Sequence, residues 1–361
     1  MSQTIAFFLG ANTPKGFVSL FPALEQEPGL RLSAIKSGPG CGKSTFLRSV
    51  GAWEEPERTE YFHCSSDPDS LDGVLLHSRR LAVLDGTAPH LYDPPLPGVQ
   101  GDYIAAPPFL NPVGLEEKRP ELETMKKGAA DCYTQAYRLL EAAGLVQRRM
   151  QALLEPLLPK SQLQRRARGI AERELPRSMT AGQPGVLRKR FLDGMTPKGA
   201  MFLKDTVTTL AKKVYLLEDR FGLSGFMLEL WRDRALELGL EVYACHDPQE
   251  PTRLLHLILP ELSLAFVTED GTRMSAYEPY RSIRVEAYLP ADALRRHRGK
   301  LRLLTKLRDS LLEDAVEQLQ AAHAIHDEIE AIYRPHLDFA ALNRLQQTFS
   351  EMQQATVQNT Y

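Results

Sequence analysis

Nine residues near the N-terminus, Phe8-Leu9-Gly10-Ala11-Asn12-Thr13-Pro14-Lys15-Gly16, return as Phe191-Leu192-Asp193-Gly194-Met195-Thr196-Pro197-Lys198-Gly199, with six of the nine identical. A turn motif copied half a chain apart marks a duplicated unit. The two copies then stay in step. Residues 32–36 align with 214–218, Gly40 falls on Gly222 after a one-residue deletion, and Tyr61-Phe62-His63-Cys64-Ser65-Ser66-Asp67-Pro68 is echoed by Val242-Tyr243-Ala244-Cys245-His246-Asp247-Pro248. The apolar run 81–85 finds a counterpart in 262–267. The tails repeat as well: residues 116–174 and 291–354 are rich in helix formers with apolar spacings of three and four. Within them Ala152-Leu153-Leu154-Glu155-Pro156-Leu157-Leu158 lines up with Ala331-Ile332-Tyr333-Arg334-Pro335-His336-Leu337, so a proline is expected to end or kink a helix at the same place in both copies. A chain of 361 residues is long enough for two domains. We expect one unit over residues 1–178, with a helical hairpin at about 115–175, and a second over 186–361, with a hairpin at about 291–355. The Gly/Pro-bearing segment 178–185 is the join.

The first unit carries chemistry that the second lacks. Ser37-Gly38-Pro39-Gly40-Cys41-Gly42-Lys43-Ser44-Thr45 follows residues 31–36, which alternate polar and apolar as a short strand does, and precedes residues 44–50, which read as a helix. Strand, glycine loop, lysine and hydroxyl in that order are the signature of a phosphate-binding loop. Closely spaced glycines let consecutive backbone N–H groups turn inward around an anion, and the following helix points its positive end at it. The expected cofactor-binding residues are therefore Gly38, Pro39, Gly40, Cys41, Gly42, Lys43, Ser44 and Thr45. Lys43 would reach the β- and γ-phosphates, and Ser44 would offer its hydroxyl to Mg2+. Where the pattern expects a first glycine this chain has Ser37, at a strand end that need not adopt positive φ. In the second copy Lys43 aligns with Gly225 and Ser44 with Phe226, so the glycine turn survives without the lysine or the hydroxyl. The fold class expected is α/β: two tandem P-loop NTPase-like units with mostly parallel sheets, each followed by a helical hairpin.

Arg80-Leu81-Ala82-Val83-Leu84-Asp85-Gly86-Thr87 is the second chemical signal. A hydrophobic strand ending in aspartate is the usual companion of a phosphate loop, and Asp85 would hold Mg2+ beside Ser44. An aspartate before glycine also forms turns. No glutamate follows Asp85, which leaves the hydrolytic step without an assigned carboxylate. In His63-Cys64-Ser65-Ser66-Asp67-Pro68-Asp69-Ser70, Asp67 or Asp69 either orients water, contacts Mg2+ or binds an acceptor, or else builds a helix cap and turn. His90 either senses the γ-phosphate or moves a proton, or is a structural or surface histidine. The catalytic candidates are thus Lys43, Asp85, Asp67 and His90, and the metal candidates Ser44 and Asp85.

Taken together, Thr-Pro-Lys-Gly, Ser-Gly-Pro-Gly-Cys-Gly-Lys-Ser-Thr, His-Cys-Ser-Ser-Asp-Pro-Asp-Ser and Asp-Gly-Thr-Ala-Pro-His resemble a group of poorly characterised bacterial ATPase-like proteins with duplicated phosphate-loop halves. The resemblance covers nearly the whole chain. In that family both halves often carry the lysine loop, with Gly-Gly-Pro-Gly-Thr-Gly-Lys-Ser in the first. This chain departs at Ser37 and Cys41 and has lost the loop in its second half, against any two-site mechanism. The resemblance implies ATP binding and hydrolysis, and no particular substrate.

Charge excludes little. The net charge of −2 gives no global signal for a polyanion partner. Locally, residues 146–190 hold eleven Lys or Arg (among them Arg148, Arg165, Arg166, Arg168 and Arg190) against three acids. Such a segment meets nucleic acid, or sends an arginine from the hairpin to the γ-phosphate, or is a solvated face without interleaved aromatics. His323 and His326 lack further ligands and read as a solvated or packed helix face. Cys41, Cys64, Cys132 and Cys245 show neither disulfide nor zinc spacing. With no leader-like start and no run of about 18 apolar residues, the chain is expected to be soluble and cytoplasmic, away from membranes.

Three readings follow. The first is a Mg-ATP-binding P-loop NTPase, slow or partner-stimulated, with one site in the first half and hairpins that transmit nucleotide state to a protein partner. The second is a kinase for a small molecule or nucleotide, and the third a non-catalytic nucleotide-gated interaction protein. The absence of an Asn-Lys-x-Asp signature favours ATP over GTP.

Overall fold

A computed structural model describes residues 4–89, 91–104, 111–176, 184–270, 278–338, 340–341, 344–345, 347–349 and 351. Most of the expected join at 178–185 lies outside the described residues. The first half contains β1 (Ile5–Phe8), β2 (Gly10–Thr13), β3 (Gly16–Ser19), α1 (Phe21–Leu24), β4 (Arg31–Ile35), α2 (Lys43–Gly51), β5 (Thr59–His63), β6 (Leu71–Leu76), β7 (Leu81–Asp85) and β8 (Tyr103–Ile104). Its tail is α3 (Pro112–Glu117), α4 (Arg119–Leu154) and α5 (Lys160–Glu174). The second half contains β9 (Val186–Arg190), β10 (Asp193–Thr196), β11 (Gly199–Phe202), α6 (Lys204–Leu210), β12 (Lys213–Glu218), α7 (Gly225–Glu237), β13 (Glu241–Asp247), β14 (Glu250–Leu259), β15 (Leu264–Glu269), β16 (Arg281–Arg284) and the long α8 (Ala291–Tyr333).

The duplication is complete at the level of topology. One sheet runs β1-β5-β6-β7-β4-β8 and the other β9-β13-β14-β15-β12-β16. In each, the third strand of that order lies antiparallel to both its neighbours while the other pairings are parallel. The chain is thus two tandem α/β units with mixed, mostly parallel sheets. The central strands β4 and β7 are buried almost throughout, as strands covered on both faces must be. The shared turn is rebuilt in detail. Thr13 Oγ1 donates to the Gly16 carbonyl (2.7 Å) and accepts from Lys15 N, and Thr196 does the same with Gly199 and Lys198. Gly16 and Gly199 sit at φ +95° and +96°, which explains why both copies keep glycine.

The halves join edge to edge. Phe8 and Phe191 exchange backbone hydrogen bonds of 2.9 and 3.0 Å where β1 and β9 end. Thr206 on α6 accepts from Ala6 N and donates to Ala6 O, so the open edge of β1 is satisfied by the other half. One core runs through the junction, with Phe7, Leu9 and Phe62 from the first half packed with Leu192, Tyr243 and Ile258 from the second. Inside it lies a fully buried guanidinium. Arg190 donates to Glu60 and Glu27, each at 2.7 Å, and lies near the rings of Phe7, Phe62 and Tyr243. Tyr243 donates to Glu60 as well (2.8 Å), and His77 approaches it at 2.8 Å. Burial opposes the charge on Glu60, yet Arg190 and His77 hold its carboxyl far below the usual range. Two basic residues of the 146–190 segment, Arg188 and Arg190, are therefore spent on the interface.

The tails depart from the expected hairpins. Both helices do end at their prolines, α4 at Leu154 before Pro156 and α8 at Tyr333 before Pro335. However, α4 lies along α8, antiparallel, with Gln147 opposite Arg308 (3.0 Å) and Ala136 and Leu140 packed on Ala315 and Leu319. Past its proline, α5 crosses to the second half, where Trp231 on α7 donates to the Ala167 carbonyl (2.9 Å). Phe349 returns the exchange by packing on Phe46 and Trp53 of the first half. Each half is thus roofed by the other's tail, because an amphipathic helix fixes only that it needs an apolar partner. Arg165, Arg166 and Arg168 are left on the exposed side of α5. Among the described residues no helix is long and apolar enough to cross a membrane.

Replacing Arg190 with Met takes a buried partner from both Glu27 and Glu60, leaving them only Arg188 and the His77–Tyr243 contacts, and should cost about 3–5 kcal/mol. Urea denaturation checks this as a lowered midpoint.

Candidate functional site

The sequence from β4 into α2 folds as a tight glycine loop. Gly40 and Gly42 adopt φ +66° and +75°, and Gly42 caps a helix whose first residue is Lys43. Gly222 in the second half has φ +71°, which confirms its equivalence to Gly40. Lys43 bends back over the loop, donating to the carbonyls of Gly38 (2.9 Å) and Ser37 (3.4 Å). Its ammonium lies 3.6 Å from Asp85 Oδ2, both side chains being largely buried. This pairing exists because β7 lies beside β4 in parallel register, with Ile35 opposite Asp85.

Asp85 is held by Thr87, whose backbone N–H (2.9 Å) and hydroxyl both donate to Oδ1. Burial raises its carboxyl above the ordinary value against the pull of Lys43. Ser44 Oγ accepts from the Leu71 backbone N–H (3.0 Å), which ties α2 to the start of β6. The next residue, Asp72, is buried, and its charge helps raise both Asp85 and the Cys64 thiol. Sequence reasoning missed Asp72; its signal was a lone acid in the apolar run Leu71-Asp72-Gly73-Val74-Leu75-Leu76.

Of the other candidates, Asp67 accepts from Asp69 N (3.3 Å), and its own carbonyl accepts from Ser70 N, so it builds the turn after β5. Asp69 pairs at 2.6 Å with Lys198 from the second half's Thr-Pro-Lys-Gly turn. Gly38, Pro39 and Cys41 lie in the segment between β4 and α2, with Cys41 buried, and Thr45 lies exposed in the first turn of α2. His90 lies outside the described residues.

The unexpected member is Glu330. It projects from the last turns of α8, in the other half, and its Oε1 accepts from the Gly40 backbone N–H at 3.0 Å. His326, one turn earlier, stands 3.3 Å from the same oxygen. That hydrogen bond is the main reason the Glu330 carboxyl is lowered and the His326 imidazole raised from their ordinary values. A glutamate on a long polar helix reads as solvated, so nothing in the sequence points to it.

The second half makes the contrast plain. Asp219, at the position of Ser37, turns its carboxylate onto the backbone N–H groups of Leu223 (2.8 Å) and Ser224 (2.6 Å). Arg253 donates to the Gly222 carbonyl (3.0 Å) and pairs with Asp247. Strand register puts Thr268 opposite Leu217, as Asp85 is opposite Ile35, so the acid is lost along with the lysine and the hydroxyl. This moves the counterpart of residues 81–85 from 262–267 to 264–268.

In the first half the arrangement can bind an anion. The Gly40 N–H, a lysine and a helix N-terminus lie together there, and a carboxylate already takes the first of these donors. Ser44 Oγ and Asp85 are oxygen donors of the kind a hard cation takes, each here engaged by its own partner, Leu71 N–H for Ser44 and Lys43 with Thr87 for Asp85. Among the described residues no group of three or more His, Cys, Asp or Glu forms a protein-only metal site.

The His326–Glu330 pair gives a pH signature. Because His326 is raised, its stabilisation is full below the ordinary histidine range and fades as pH rises through its folded pKa. Because Glu330 is lowered, its share is present above the ordinary carboxylate range and fades as pH falls through its folded pKa. An NMR titration should find His326 above a free histidine, and Glu330→Gln should bring it down. No family model, curated protein or solved structure matches this chain.

Proposed function

We propose that the first half binds Mg-ATP through residues 38–45 and works as a slow, regulated P-loop nucleoside triphosphatase, with the second half as its regulatory partner. The observation that carries this is the Lys43–Asp85 approach across β4 and β7, beside a glycine loop whose Gly40 N–H already holds a carboxylate. In this reading the Lys43 ammonium leaves the Gly38 and Ser37 carbonyls for the β- and γ-phosphates. Ser44 and Asp85 would hold Mg2+, directly or through water, and the ion would neutralise phosphate charge. The motif resemblance to duplicated ATPase-like proteins supports the same reading. It is also supported by the second half's self-filled loop, which leaves one site per chain.

A nucleotide-gated binding protein is the second reading. It is favoured by the residues after Asp85, Gly86 and Thr87, which offer no carboxylate to activate water. A kinase differs from both by releasing ADP only when an acceptor is supplied.

Lys43→Ala removes a charge-assisted phosphate contact and should weaken Mg-ATP binding by at least about tenfold, abolishing ADP release. Asp85→Asn should keep nucleotide binding without Mg2+ and lose most of its enhancement by Mg2+. Calorimetry with and without Mg2+, together with an ADP-release assay using GTP as control, checks both. Binding without turnover would support the gated reading. Binding independent of Lys43 would overturn the site.

A further inference from the structure

The Gly40 N–H is one of the donors a phosphate in this loop would use, and it is taken by a carboxylate of the same chain. A Cβ on Gly40 would lie 3.5 Å from Glu330 Cβ and 3.6 Å from the Glu330 carbonyl, so α8 passes over the loop at van der Waals distance. The duplicated fold supplies its own control. Gln151 on α4 occupies the position equivalent to Glu330, five residues before the proline, and its amide donates to the Gly222 carbonyl at 3.4 Å. Both long helices therefore touch the other half's glycine loop at the same point. Of these two helix contacts, the one at the loop that keeps its lysine is made by an acid and takes a backbone N–H, whereas the other is made by an amide and takes a carbonyl.

Resting on the nucleotide reading above, we propose that Glu330 is an internal phosphate mimic. It occupies the loop of the nucleotide-free chain, and a bound triphosphate displaces it together with the end of α8. Two anions cannot share one N–H, and their mutual repulsion in a half-buried site opposes simultaneous occupancy. A ligand shifts such an equilibrium by its differential affinity for the two states.

The displacement has places to go. His326 leaves with Glu330, vacating the side of α8 that faces Asp67. Gln320 on the same helix donates to the Pro197 carbonyl (2.9 Å), in the turn whose Lys198 holds Asp69. Nucleotide binding in the first half is thereby felt at the second half's Thr-Pro-Lys-Gly turn and along the α4–α8 pair.

The test uses the full chain as wild type, Glu330→Ala, Glu330→Gln and Lys43→Ala, with matched thermal melts. The probes are a non-hydrolysable ATP analogue with Mg2+, and amide hydrogen exchange over residues 38–44 without nucleotide. Losing a competing charge-assisted hydrogen bond should tighten analogue binding about 10–100-fold in Glu330→Ala. Glu330→Gln should fall between it and wild type, and both variants should exchange faster around Gly40. Equal or weaker binding by Glu330→Ala, with wild-type binding still dependent on Lys43, overturns the inference and leaves the nucleotide site standing. Unchanged exchange around Gly40 also overturns it. If neither wild type nor Glu330→Ala binds the analogue, the nucleotide reading falls, and this inference with it.

Discussion

A guanidinium with no access to water, held between two carboxylates of the other half, fixes everything else in this molecule. Arg190 sits beside the Phe8–Phe191 crossing, where β1 and β9 meet. Separating the halves would strand Glu27 and Glu60 as well as the arginine, a cost that apolar packing alone would not impose. Tyr243 and His77 also contact Glu60, so the ion pair is part of a polar network that reaches into the shared core. With the sheets locked by this contact, the two glycine loops stand in a set relation to each other.

That relation is what the long helices use. Each leaves its own half, runs antiparallel beside its counterpart, and ends at a proline over the opposite loop. Alanines at the contact, such as Ala136 and Ala315, let the helices lie close. Past the prolines the chain crosses over, so that Trp231 and Phe46 are each covered by a tail from the other half. An event at one loop cannot stay local in such an arrangement. The helix that covers the loop is also packed along the helix that reaches the other.

The two loops show how a duplicated site diverges. An inward cradle of N–H groups needs an anion, and the second half supplies its own from Asp219. Once the cradle is filled from within, a lysine there would have nothing to bind, and Gly225 and Thr268 stand where Lys43 and Asp85 stand in the first half. The first half has uncharged Ser37 instead of Asp219, and the carboxylate at its loop, Glu330, comes from the distant helix α8. One loop is filled by an acid of its own turn, whereas the other is met by an acid from the opposite half.

The sequence by itself determined what local chemistry can encode. The duplication was legible in a turn whose threonine and positive-φ glycine must recur together, and the glycine loop in its order of strand, turn, lysine and hydroxyl. Helix ends were legible at Pro156 and Pro335, since proline acts on its own backbone. Asp85 is expected at the loop, beside Ser44, because parallel strands align their carboxyl ends; the structure brings it to Lys43. The antiparallel strands β6 and β14 were not visible, as a short buried apolar run shows no direction. Nor could the sequence say that the tails exchange, since an amphipathic stripe demands an apolar partner without naming it. Only the tertiary structure decided that Arg190 belongs to the core rather than to a basic surface, that Asp72 is buried near Asp85 and Cys64, and that Glu330 rests on Gly40. Each depends on groups that sequence separates widely, 290 residues in the case of Gly40 and Glu330, and a charge declares its role only when its partner is in place.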